Sequence, residues 1–124
     1  MLRSILLAGI GGAAGSILRY LCGVFIHRHY AATLPLATFL VNVSGCLLIG
    51  CLMGSKAIAE QQDYRILLVT GLCGGYTTFS AFAWENIQLI RNGQTTTALG
   101  YILLSTLTGL AAVWLGASVM RNVE

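Results

Sequence analysis

Charge is what this sequence has least of. Only 9% of its 124 residues are Asp, Glu, Lys or Arg, seven basic against four acidic. A nucleic-acid-binding surface needs cations clustered on one face, so that class is excluded. The acidic residues Glu60, Asp63, Glu85 and Glu124 fall in polar stretches or at the chain end, so no carboxylate is expected inside an apolar run. Proline occurs once, as Pro35. The four cysteines, Cys22, Cys46, Cys51 and Cys73, lie within apolar stretches. They lack the paired spacing of a zinc site and the loop placement of a disulfide framework, and read as free thiols packed like small hydrophobes. Catalytic constellations are missing too. His27 and His29 flank Arg28 in a polar cluster, two ligands are too few for a metal centre, and no serine has a base and an orienting acid beside it.

What remains is apolar: 56% of the chain is hydrophobic. A membrane-spanning helix needs about 20 such residues, and four runs of that length, at residues 5–26, 34–54, 65–84 and 98–120, use up most of the chain. The expected fold is therefore all-α and integral to a membrane, one domain over residues 1–124 with four spans. The first run is longer than the core of a signal peptide and carries Arg19, so it is read as a span. His27, Arg28 and His29 suit a turn at headgroup level, Pro35 suits the opening of the second helix, and residues 55–64 and 85–97 read as polar loops. Small residues at four-residue spacing, Gly11 with Gly15 and Gly50 with Gly54, predict closely approaching backbones.

Orientation is nearly balanced. Arg3, Lys56, Arg65 and Arg121 fall on one side and Arg28 and Arg91 on the other. Charge slightly favours termini in the cytoplasm, yet both insertions stay open, and a dimer of oppositely oriented subunits is physically allowed.

Several polar residues lie within the runs. Arg19 costs about 2.5–3.5 kcal/mol to insert, so it either faces a watery cavity or reaches for the interface. Thr38 and Asn42, four apart, form a polar stripe on one helical face. An amide there serves either as interhelical glue or as a donor to a permeant ion. The third run holds Gly71, Gly74, Gly75, Thr77 and Thr78, poor material for a continuous helix. Unwound backbone at membrane depth is tolerated only where it is buried in protein or lines a cavity, which implies an ion site nearby. Phe79 and Phe82 share a face and can present positive ring edges to an anion, or simply pack. Tyr101, Ser105 and Thr108 give a hydroxyl row that can also bond its own backbone. Taken together, donors on three spans, aromatic edges and one intramembrane arginine describe a path suited to anions.

The whole chain resembles the Fluc (CrcB) family of fluoride channels. The resemblance is carried by the stretch from Gly11 to Tyr20 (GGAAGSILRY), by that from Thr38 to Gly45 (TFLVNVSG), and most closely by that from Gly71 to Phe82 (GLCGGYTTFSAF). It implies a fluoride-selective channel of the bacterial inner membrane that exports fluoride passively. The assembly implied is an antiparallel, dual-topology homodimer in which the third helix of each subunit is broken at mid-membrane and two pores run between the subunits. By the same resemblance Phe79, Phe82, Asn42, Thr38, Ser80, Tyr101 and Ser105 would line the pores; Arg19 is expected at a vestibule, because a buried arginine midway would hold the ion too firmly. The resemblance also implies a structural sodium ion at the dimer centre, held by backbone carbonyls of Gly74 and Thr77 from both chains. The implied partners are fluoride, lipid and a second copy of the chain, with no nucleic acid. Ala81 stands where the family often has threonine, and Gly109 stands one turn beyond Ser105 where a further hydroxyl would extend the track. The rival classes are a small proton-coupled multidrug exporter, which needs a carboxylate within a span, and a noncatalytic membrane assembly subunit.

Overall fold

The computed structural model describes residues 1–30 and 35–123. In chain order its helices are α1 (Leu2–His29), α2 (Leu36–Gly54), the short α3 (Lys56–Ala59) and α4 (Gln62–Tyr64), a π-helical segment (Arg65–Cys73), α5 (Gly74–Tyr76), α6 (Phe79–Arg91) and α7 (Thr95–Val123). Among the described residues four helical stretches are long and apolar enough to cross a membrane: Leu2–His29, Leu36–Gly54, Gln62–Arg91 and Thr95–Val123.

Pro35 stands at the N-cap of α2, where its missing amide is not needed, and its carbonyl accepts from the Phe39 amide at 3.1 Å. The expected start of this span at Leu34 lies outside the described residues. The cluster His27–Arg28–His29 is not a turn but the last turn of α1, with His29 Nδ1 2.8 Å from the Phe25 carbonyl. Between the second and third spans the expected loop is partly helical, as α3 and α4.

The larger correction concerns residues 85–97, expected as a loop. The third span continues through Arg91, and only Asn92 to Gln94 separate it from α7. The helix stops there because Gly93 takes a positive φ of 76°, while the Gly93 and Gln94 amides turn back to the Ile90 and Leu89 carbonyls at 3.0 and 2.8 Å. That double bond around a left-handed glycine is a Schellman stop. The polar residues that suggested a loop are accommodated on the helix: Asn86 is buried and its Nδ2 donates to the Phe82 carbonyl at 2.9 Å.

Two seams organise the bundle. α1 lies against the π segment and α5, and α2 lies against α7. Both are glycine seams. A Cβ on Gly15 would run into the Leu72 carbonyl oxygen and stand 2.7 Å from the Tyr76 amide nitrogen, and one on Gly116 would meet the Leu47 carbonyl and the Cys51 amide. Without a hydrophobic drive between helices in lipid, such close backbone approach supplies the van der Waals contact that holds spans together. A side-chain cluster closes the remaining gap, with Leu89, Ala98 and Tyr101 buried and Phe39 and Phe82 packed on them.

Candidate functional site

Between α5 and α6 the backbone is extended at two residues, Thr77 (φ −78°, ψ 158°) and Thr78 (φ −148°, ψ 110°). Side chains from three spans converge on this step. Asn42 of α2 holds Thr78 from both ends of its amide: Nδ2 donates to the Thr78 carbonyl at 3.1 Å, and Oδ1 accepts from the Thr78 amide at 2.8 Å. Thr78 in turn caps α6, its Oγ1 accepting from the Ala81 amide at 3.3 Å and lying 3.3 Å from Ser80 Oγ. From α1, Arg19 Nη1 donates to the Thr77 carbonyl at 3.2 Å.

These bonds have a consequence for the carbonyls. In an uninterrupted α-helix the Thr78 amide would bond the Gly74 carbonyl, and the Ala81 amide the Thr77 carbonyl. Here both amides are taken by side-chain oxygens, Asn42 Oδ1 and Thr78 Oγ1. The carbonyls of Gly74 and Thr77 are thereby released from the helical ladder, with Arg19 using one acceptor position on the second.

The aromatic and hydroxyl residues follow on α6 and α7. The rings of Phe79 and Phe82 are 5.8 Å apart and tilted by 43°, and Phe82 meets Tyr101 edge-on at 5.1 Å. Phe79 is 79% exposed, a large ring left open beside a polar step. Tyr101 is buried, and the Ser105 hydroxyl oxygen lies buried one turn further along α7. Thr108 is turned back on its own helix, donating to the Leu104 carbonyl at 2.6 Å.

Glu85 is the residue that the sequence placed wrongly. It lies within α6, half-buried, and its two carboxylate oxygens accept from two residues expected on the path: Oε1 from Thr38 Oγ1, and Oε2 from the Tyr101 hydroxyl at 3.0 Å. The expectation that no span carries a carboxylate therefore fails. The signal was present in the spacing, because Glu85 lies three residues beyond Phe82 and neighbours it on the helix surface once the helix runs past Trp84.

Thr78 also lines two cavities. One, of about 340 Å³, is bounded by Arg19, His27, Thr38, Thr78 and Ser80; the other, of about 310 Å³, by Asn42, Cys46, Cys73, Gly74, Thr77 and Phe79. The expected site residues are thus gathered around the Thr77–Thr78 step, with Ser105 and Tyr101 at the far end of the aromatic row.

Residues 6–117 match the family described as "CrcB-like protein, Camphor Resistance (CrcB)". The chain belongs to that CrcB-like family. Curated relatives agree along nearly the full length. A protein of Flavobacterium psychrophilum named "Fluoride-specific ion channel FluC" is 44% identical, covering 98% of this chain and 100% of its own. Proteins of the same name from Azobacteroides pseudotrichonymphae and Rhizobium meliloti are 43% and 42% identical, covering 94% and 97% of this chain and 94% and 98% of their own. With four apolar helices and channel-forming relatives, this CrcB-like chain is a multi-pass membrane protein.

Proposed function

We propose that two copies of this chain, inserted in opposite orientations in a bacterial inner membrane, form a fluoride-selective channel that exports fluoride passively. The observation that carries the reading is near-full-length similarity to proteins named fluoride-specific channels. It is supported by the donors around the Thr77–Thr78 step and by Phe79, whose exposed ring calls for a second subunit to complete the path.

Fluoride is small and tightly hydrated, so a pore must replace its water with fixed donors without binding too firmly to release it. Asn42, Ser80 and the ring edges of Phe79 and Phe82 provide such donors along the step, and Thr38, Tyr101 and Ser105 continue them. The bonds to Glu85 give this track a working logic. A carboxylate oxygen and a fluoride ion are both compact anionic acceptors, and Glu85 keeps the Thr38 and Tyr101 hydroxyls aimed at one place where an arriving fluoride competes for them. Arg19, held by the Thr77 carbonyl at the inner end of the cavity of about 340 Å³, gives that vestibule a positive charge that draws anions in. The inside-negative potential, worth about 2.3 kcal/mol per charge per 100 mV, drives the ion outward.

The extended Thr77–Thr78 pair is read as a break of the third span at mid-membrane. Hard monovalent cations prefer oxygen ligands, and the donor set fits one: the carbonyls of Gly74 and Thr77, freed from helical bonding, would hold a structural sodium ion together with the same pair from the second copy. The ion would tie the two breaks together and take no part in permeation.

Glu85 also supplies what a proton-coupled exporter needs, a carboxylate in a span. Purified protein in liposomes separates the two readings. The channel gives fluoride efflux without chloride efflux and without any need for a proton gradient, and Glu85→Gln, which still accepts a hydroxyl proton, loses less than roughly tenfold of that flux, or about 1.4 kcal/mol. Well-folded protein in vesicles that stay sealed to fluoride would overturn the channel, and flux that collapses with Glu85→Gln and follows the proton gradient would favour the exporter.

A further inference from the structure

The mouth of the Arg19 cavity carries a second basic side chain that the channel reading leaves unused. Arg19, Gly23 and His27 follow at four-residue spacing on α1, and all three line the cavity of about 340 Å³. The same three line an adjoining cavity of about 480 Å³, in which Arg28 joins them. A Cβ placed on Gly23 meets nothing within 4 Å, so the space between the arginine and the imidazole is open. His27 is exposed, and among the described residues no hydrogen bond or ion pair to a carboxylate anchors it elsewhere.

We propose that His27 is an anion-attracting residue at the outer end of the vestibule, adding its positive charge to that of Arg19 when protonated and thereby raising the rate at which fluoride reaches the path. The inference rests on the channel reading above. The groups facing the imidazole are few. α1 contributes Arg19, Arg28 and the phenol of Tyr20; α2 contributes Ala37, Thr38 and Val41, none titratable; the start of α6 contributes Thr78, Ser80 and Ala81, none titratable. Glu85 is withdrawn behind Thr38, which donates to it. Histidine is the side chain whose charge ordinarily changes between pH 5 and 8. A protonated imidazole adds its charge to the positive field that Arg19 and Arg28 already set at the mouth, and no carboxylate among the described residues lining these cavities cancels it. In an antiparallel dimer one His27 stands at each face of the membrane, and either bath controls one mouth.

Fluoride current through single channels in planar bilayers, at fluoride well below saturation and with equal pH on both sides, tests this directly, because neutral hydrogen fluoride carries no current. Wild type is expected to pass about twofold more current at pH 5.5 than at 7.5, an effect sized to one charge lying within a Debye length of about 10 Å at 0.1 M salt. His27→Asn is expected to keep the pH 7.5 current at both values, and His27→Lys the higher current at both. Raising an impermeant salt to about 1 M, where the Debye length is about 3 Å, is expected to erase the wild-type step. A pH step that survives in His27→Asn or at high salt, or a wild type with fluoride current but no step, overturns the role of His27 alone; a wild type with no fluoride current at any pH overturns the channel reading with it.

Discussion

Between Arg65 and Tyr76 the third span meets α1 with little except backbone, whereas from Phe79 to Arg91 it meets α2 and α7 through side chains. In the first half a Cβ on Gly75 would collide with the Gly12 carbonyl, as one on Gly15 would with that of Leu72. In the second half the contacts are Thr38 and Tyr101 on Glu85, and Phe82 against Tyr101. The contrast separates two jobs. The backbone seam fixes where the third span stands and tolerates no added volume; the side-chain seam presents donors and rings, and tolerates changes of shape better than changes of polarity. The Asn42 clamp on Thr78 sits where the two regimes meet.

The comparison is most severely strained by adding volume to the first half. Gly15→Val is expected to cost about 3 kcal/mol or more, because the neighbours are backbone atoms that cannot rotate away. A large drop in the thermal midpoint, or loss of the monodisperse species on size exclusion, would show it; an unchanged midpoint would mean the seam is loose. Next comes the junction. Asn42→Leu leaves the Thr78 amide and carbonyl unpaired, at about 1–3 kcal/mol each if both stay buried. Fluoride flux in liposomes is expected to fall about tenfold or more with the proposed dimer retained, and normal flux would reduce Asn42 to structural glue. In the second half the expected effect moves from stability to conduction. Phe79→Ile keeps bulk on an exposed position but removes the ring edge, so conductance is expected to fall about three- to tenfold, in line with the ~0.5–1.5 kcal/mol of such contacts, while the thermal midpoint holds. Unchanged conductance would end the aromatic role. Smallest of all is Gly109→Ala on α7, where the new Cβ would stand 3.5 Å from Cys46 Sγ in ordinary contact. A stability change within about 0.5 kcal/mol is expected, and a larger loss would show that the α2–α7 seam is tight along its whole length.

How much of this was legible beforehand follows the same division. The four spans were visible because lipid imposes long apolar runs, and the pairs Gly11 with Gly15 and Gly50 with Gly54 marked seams that the structure indeed closes backbone to backbone. The last two turns of the third span, Glu85 to Arg91, were hidden, because Glu85, Asn86, Gln88 and Arg91 lower the average hydropathy although they ride on a helix whose other faces are apolar. Glu85 was lost for that reason. The partnership of Asn42 with Thr78 was hidden for another: its target is a backbone group, and no side-chain pattern announces which amide a distant asparagine will take. The stripe of Thr38 with Asn42 was correctly seen as polar, but only the fold shows that its two members serve different neighbours, a carboxylate and a peptide unit.

The wide winding of Arg65–Cys73 has one more implication. There the Gly74 amide reaches back to the Val69 carbonyl, five residues away instead of four, so the coil carries a surplus residue relative to ordinary pitch. Excising one residue of that coil would let it return to ordinary pitch with the downstream helix facing nearly as before, whereas the same deletion in a regular α-helix would swing everything downstream by about 100°. The wide coil therefore works as a slack turn that takes up one residue of length while holding the bearing of both phenylalanines, so a single-residue difference among relatives would be tolerated there and not within Phe79–Arg91.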